Sequence, residues 1–142
     1  MKKITVKKTT KAKVTRIEQI KTFEDACRVE GLDPKQTIPD FSCFPSQDQA
    51  ALSAHAQLVI IARAVNRVAN KGKEWQPDWN DVNQWKYYPW FYLGGSAGFR
   101  FDDYGTWSSL SYVGSRLCFI SREAATYAGQ QFEGLYKQYF VM

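Results

Sequence analysis

The chain predicts an α+β fold: a small antiparallel β-meander packed against a long central helix and a C-terminal helix. Three observations lead there. Residues 46–72 carry apolar side chains at helical spacing; residues 86–120 run in short aromatic-rich stretches separated by glycine-containing turns; residues 121–140 return to helical spacing. A length of 142 residues fits one domain with a real core. The expected division is a basic leader over 1–21 and a single α+β domain over 22–142.

Taken in order, ITVKKTTKAKVTRI is rich in Thr, Val and Ile between lysines, which fits one short strand. TFEDACRVEG predicts a two-turn helix, with Thr22 as cap, Asp25 at the capping-box position and Gly31 as terminator. Its buried face is Phe23, Ala26 and Cys27. IPDFSCFP is a connector that brings Phe41 and Phe44 along as plugs. Ser46 with Gln49 has the capping-box spacing at the head of the long helix, and Gly72 stands just past its last turn. Ala51, Leu58, Ala62, Val65 and Ala69 form its apolar stripe, widened by Leu52, Val59 and Ile61. Arg63, Arg67 and Lys71 read as a solvated basic face.

KGKEWQPDWNDVNQW is a loop. KYYPWFYL, GFRF, TWSSLSYV and RLCFI then read as strands, separated by GGSAG, DDYG and GS, with Pro89 placing the first at an edge or a bulge. SREAATYAGQQFEGLYKQYF closes the chain as one amphipathic helix capped by Ser121. Its buried face is Ala124, Ala128, Phe132, Leu135 and Tyr139, and Gly129 and Gly134 weaken it slightly.

The chemistry of the sequence points away from catalysis. It has no P-loop, GxSxG or HExxH pattern, and His55 is its only histidine. Asp78 and Asp81 lie among Asn80 and Asn83, where oxygen ligands suit a hard cation, but the glycine and final glutamate of an EF-hand are missing. Asp102-Asp103 suits a turn better than an acid/base couple. Cys27, Cys43 and Cys118 stand at unrelated spacings, so neither a disulfide framework nor a zinc site is expected; all three read as buried reduced thiols. The expectation is a protein that is not an enzyme and needs no cofactor or metal.

Three blocks, IKTFEDAC (20–27), WQPDWNDVNQWKYYPWF (75–91) and GSRLCFISREAATYAGQQF (114–132), together resemble a family of small uncharacterised proteins encoded in phages and prophages of gut bacteria. The resemblance spans residues 17–140. It implies a setting, not a reaction: virion part, nucleic-acid accessory, or countermeasure against host defence.

Binding chemistry is better represented. Residues 86–101 hold seven aromatic side chains, and all five tryptophans fall between 75 and 107. Alternation sets Tyr87, Pro89 and Phe91 opposite Tyr88, Trp90 and Tyr92, so both faces of the strand are aromatic and only one can enter the core. The second face, beside Arg100 and Arg116, suits the stacking of a flat ring or a contact with another subunit. Arg122, in the first turn of the last helix, suits an anion there, although Glu123 supplies a negative charge itself.

The leading expectation is therefore a binding protein, a homo-oligomer, that sequesters a small anionic nucleotide-type ligand serving as a host defence signal. Trp90, Tyr92 and Tyr104 would stack, and Arg100, Arg116 and Arg122 would hold phosphate. The main alternative is a nucleic-acid-binding accessory protein. Lys2, Lys3, Lys7, Lys8, Lys11, Lys13 and Arg16 give the leader a charge of +7 with no acid, against a formal +5 for the whole chain. A virion or assembly component is the third reading. No apolar stretch suits a membrane span, and the start lacks the apolar core of a signal peptide, so the host cytoplasm is the expected location.

Overall fold

A computed structural model describes residues 13–96, 98–110 and 115–141. Of the stretch 4–17, expected to hold one short strand, residues 4–12 lie outside the described residues and 13–17 form no strand; 111–113 of TWSSLSYV and Gly114 lie outside them too. Packing begins ahead of residue 22. Ile20 is fully buried, Val14 and Ile17 lean on the same core, and a 3-10 turn runs over Ile17–Gln19. The Tyr127 hydroxyl donates to the Ile20 carbonyl at 2.9 Å, and Gln131 Nε2 donates to the Lys21 carbonyl at 3.0 Å.

Helix α1 (Phe23–Glu30) forms as its sequence dictates. Thr22 Oγ1 accepts from the Asp25 N–H, Asp25 Oδ2 accepts from the Thr22 N–H, and Gly31 takes the left-handed conformation at φ 70°. Asp33 caps a single turn, α2 (Pro34–Thr37). The connector that follows is not plugged into the core. Phe41 and Phe44 meet edge-on at 6.2 Å, Phe44 is exposed, and Cys43 is exposed rather than buried.

Helix α3 (Ser46–Ala69) is the central element, burying Leu58, Ile61, Ala62, Val65 and Val68. Its start differs from the expected capping box. Pro45 holds the cap position, Ser46 is already helical, and Gln49 Nε2 reaches back to the Phe44 carbonyl at 2.8 Å. Ala69 is exposed, because the apolar stripe turns away from the core in the last turn. His55 stacks on Tyr139, ring centroids 4.5 Å apart.

The sheet is a two-stranded hairpin rather than a meander of three or four strands: β1 (Lys86–Tyr92) pairs antiparallel with β2 (Arg100–Trp107). DDYG lies inside β2, not in a turn; Trp90 faces Asp103 while Phe91 faces Phe101, so Asp102 is the extra residue of a bulge. RLCFI does not form a strand. Ser115–Leu117 make a 3-10 turn, and only Phe119 exchanges backbone hydrogen bonds with Tyr87, at 3.0 and 2.7 Å. The reason is Asn66 on α3. Its Nδ2 donates to the Cys118 carbonyl at 2.9 Å and its Oδ1 accepts from the Ile120 N–H at 2.8 Å. A side chain takes the backbone groups that a neighbouring strand would have used.

The last helical stretch divides at Phe132, which leaves helical geometry at φ −112° and ψ 25°, into α4 (Arg122–Gln131) and α5 (Glu133–Phe140). Tyr87, Phe91, Phe101 and Tyr104 turn the hairpin's inner face to the core. That face rests on α4 and α5, which pack on α3; α1 packs on α3 as well. The α+β class holds, with the sheet resting on the C-terminal helices. Among the described residues no helix is long and apolar enough to cross a membrane.

Candidate functional site

Ring-bearing and cationic side chains meet in one cleft, of about 320 Å³, between α3 and the loop after it. Arg63 and Arg67 stand four residues apart on α3, and both turn to Glu30 at the end of α1. Arg67 binds it through two bonds, 2.7 and 3.0 Å; Arg63 reaches it at 3.1 Å and Glu74 at 3.0 Å. This stretch of α3 is an ion-paired seam, not a solvated basic face. Glu30 is 5% exposed, so the pairing is shielded from water on the acid's side. The bond to Glu30 raises the Arg67 pKa, against a smaller opposing effect of burial.

The far wall is Trp75 and Trp79, both half-buried. The loop that carries them folds around an ammonium. Asp78 and Asp81 each accept a backbone N–H two residues on, from Asn80 and Asn83, both at 2.9 Å. Their carbonyls are left to accept from Nζ of Lys86: the Asp78 carbonyl closely, the Asp81 carbonyl at 3.1 Å. Lys86 is fully buried, and its Nζ lies 5.3 Å from the Trp79 ring centroid. Among the described residues it has no carboxylate within ion-pair distance. The loop that suited a hard cation thus holds the chain's own lysine, through backbone carbonyls and not carboxylates. Its positive charge sits directly behind a ring that lines the cleft.

Arg116 completes the cleft from the 3-10 turn. It is exposed, and among the described residues it makes no ion pair or hydrogen bond. The wider depression of about 810 Å³ beside Lys13, Arg28 and Arg67 has no ring in its walls, and its arginines are tied to Asp25 and Glu30. Among the described residues, the first cleft combines flat walls with an uncommitted guanidinium.

The six residues expected to form one site fall in three places. Trp90, Tyr92 and Arg100 share the hairpin's outer face, where the Arg100 guanidinium lies 4.2 Å over the Tyr92 ring. Beside them Tyr88 stacks on Trp107 at 3.9 Å, over Gly105, where a Cβ would come within 2.2 Å of the Tyr88 ring. Tyr104 is on the opposite face, half-buried near Tyr87. Arg122 pairs with Glu123 at 2.8 Å, that bond first and Tyr104 second raise its pKa, and Ser121 caps the same helix end. That helix terminus already has its negative charge. Only Arg116 reaches the cleft.

Sequence reasoning missed Arg63, Trp75, Trp79 and Lys86. A lysine leading an aromatic strand gives no sign that it will be buried. The available signal was the pair of turn-forming aspartates five and eight residues before it. Nucleophilic chemistry finds no support at Cys118 or Cys27: burial pushes the Cys118 thiol up to about 12 and raises Cys27 as well. No protein-family model, curated protein or solved structure matches the chain.

Proposed function

We propose that the protein is a non-enzymatic binding protein that holds a small, flat-ringed anion of nucleotide type in the cleft between α3 and the Trp75–Trp79 wall. One observation carries this reading: an unpaired Arg116 shares a 320 Å³ cleft with two tryptophan rings, one of them backed by a buried ammonium. The rings supply stacking worth about 1–3 kcal/mol per base. Arg116 supplies a charge-assisted bond to phosphate, worth about 1.5–3 kcal/mol. The volume lies at the lower end of small-ligand sites, which favours one base and its phosphate over a polymer. The resemblance to phage-encoded proteins adds the setting: sequestration of a host defence signal in the host cytoplasm by a homo-oligomer.

The test is to denature the purified protein, identify released small molecules by mass spectrometry, and titrate emptied protein with AMP by calorimetry. A stoichiometric nucleotide, or AMP binding that Arg116→Ala weakens at least tenfold while Arg122→Ala leaves it unchanged, supports the proposal. An empty protein that ignores AMP, or equal affinities for the two variants, rejects it.

A further inference from the structure

We propose a second binding site, independent of the cleft: a slot at the open edge of β1 that takes a flat, uncharged aromatic molecule carrying one hydrogen-bond acceptor. The backbone creates the opening. Tyr87 gives both its N–H and its C=O to Phe119, so the same edge of β1 recurs two and four residues on, at Pro89 and Phe91. No strand covers those two positions, because Ser115–Leu117, which antiparallel pairing would set beside them, form the 3-10 turn. Beneath the edge lies a slot of about 310 Å³ over Leu117, Tyr136 and Phe140, with Trp90 and Leu93 exposed at its rim. Pro89 lacks an N–H in the middle of that edge, so an added peptide strand would lose a ladder bond. A small molecule has no such need.

The slot's lining defines the chemistry. Among the described residues no charged side chain borders it. Tyr136 on its floor is 2% exposed, and its hydroxyl makes no hydrogen bond among the described residues. Trp107 Nε1 is the only fully sealed side-chain polar atom without a partner among those residues. The Tyr136 hydroxyl is therefore not sealed, and Tyr136 is among the residues that line the slot. A donor this enclosed wants an acceptor, and water or a ligand must enter the slot to provide it. Phe91 and Phe140, with centroids 4.7 and 5.7 Å from the Tyr136 ring, hold that ring in place.

Two probes of nearly equal shape test this on the full chain: 2-acetylnaphthalene, which carries a ketone, and 2-ethylnaphthalene, which does not. Binding is followed by tryptophan fluorescence, with contacts mapped by amide chemical shifts. The ketone is expected to bind about three- to tenfold tighter, the effect of one hydrogen bond, with shifts centred on Phe91, Leu117 and Tyr136. Tyr136→Phe keeps the packed ring and is expected to abolish the preference while leaving the ethyl compound's affinity intact. No binding, no preference, or a preference that survives Tyr136→Phe overturns the proposal. So does a dimer in sedimentation that excludes both probes, since a second copy then covers the slot. AMP titration alongside separates the sites: the probes are expected to leave it unchanged.

Discussion

Asp25 shows how much one side chain settles. It accepts the N–H groups of Lys21 and Thr22 and the guanidinium of Arg28. Burial raises its pKa, the hydrogen bonds from Lys21, Arg28 and Thr22 lower it, and the balance falls below the usual aspartate value. A depressed pKa stabilises the fold above the unfolded value, and that contribution is lost as pH falls through the folded one. Asp25→Ala is expected to cost about 1 kcal/mol at pH 7, with the gap to the unaltered protein closing below about pH 4. Thermal melts across pH 3–7 check both. The same scale explains a failed equivalence. Arg116 and Arg122 were both expected to hold phosphate, yet Glu123 takes the charge of Arg122, as its place in sequence suggests, while Arg116 lines the cleft.

Between elements, Gly129 matters more than its helix propensity indicates. It lies where α4 meets the hairpin, and a Cβ there would come within 2.5 Å of the Phe101 ring and 2.7 Å of Pro89 Cβ. Gly129→Ala is expected to destabilise the protein, because overpacking of about 1–3 kcal/mol exceeds the roughly 1 kcal/mol gained in propensity. Gly134→Ala on α5, where a Cβ meets nothing within 4 Å, is expected to stabilise by about 0.5–1 kcal/mol. Denaturant midpoints distinguish the two signs. The helices were legible because caps and apolar spacing are local. α1 formed around its Thr22–Asp25 box, and Gly31 ended it. The sheet was only partly legible. Its inner and outer faces followed from alternation, but the RLCFI strand was lost to Asn66, more than fifty residues away, which no spacing within the segment reveals. The cleft was hidden for the same reason, since α3, the loop and the 3-10 turn each contribute part of it.

At the scale of the molecule, one connected core runs from Ile20 to Tyr136, and charge is distributed independently of it. Lys2, Lys3, Lys7, Lys8 and Lys11 account for the whole formal excess of +5, leaving residues 13–142 balanced. The nucleic-acid alternative is thereby separable from the proposed cleft. Deleting residues 1–12 is expected to abolish salt-dependent retardation of single-stranded DNA in gel-shift assays, and to leave AMP affinity and melting temperature unchanged.

The wrapping of Lys86 has a consequence for how the molecule assembles. Its two carbonyl partners lie only five and eight residues upstream, so closing that ring demands little chain entropy. The tryptophan wall is thus a short-range structure, a coordination shell built by the chain around its own ammonium. It reaches its shape without waiting for the distant pairing of α3 with the segment at 118–120. The tryptophan wall is therefore specified by neighbouring residues, whereas the opposite wall, with Asn66 and Arg116, depends on the long-range contacts of the core.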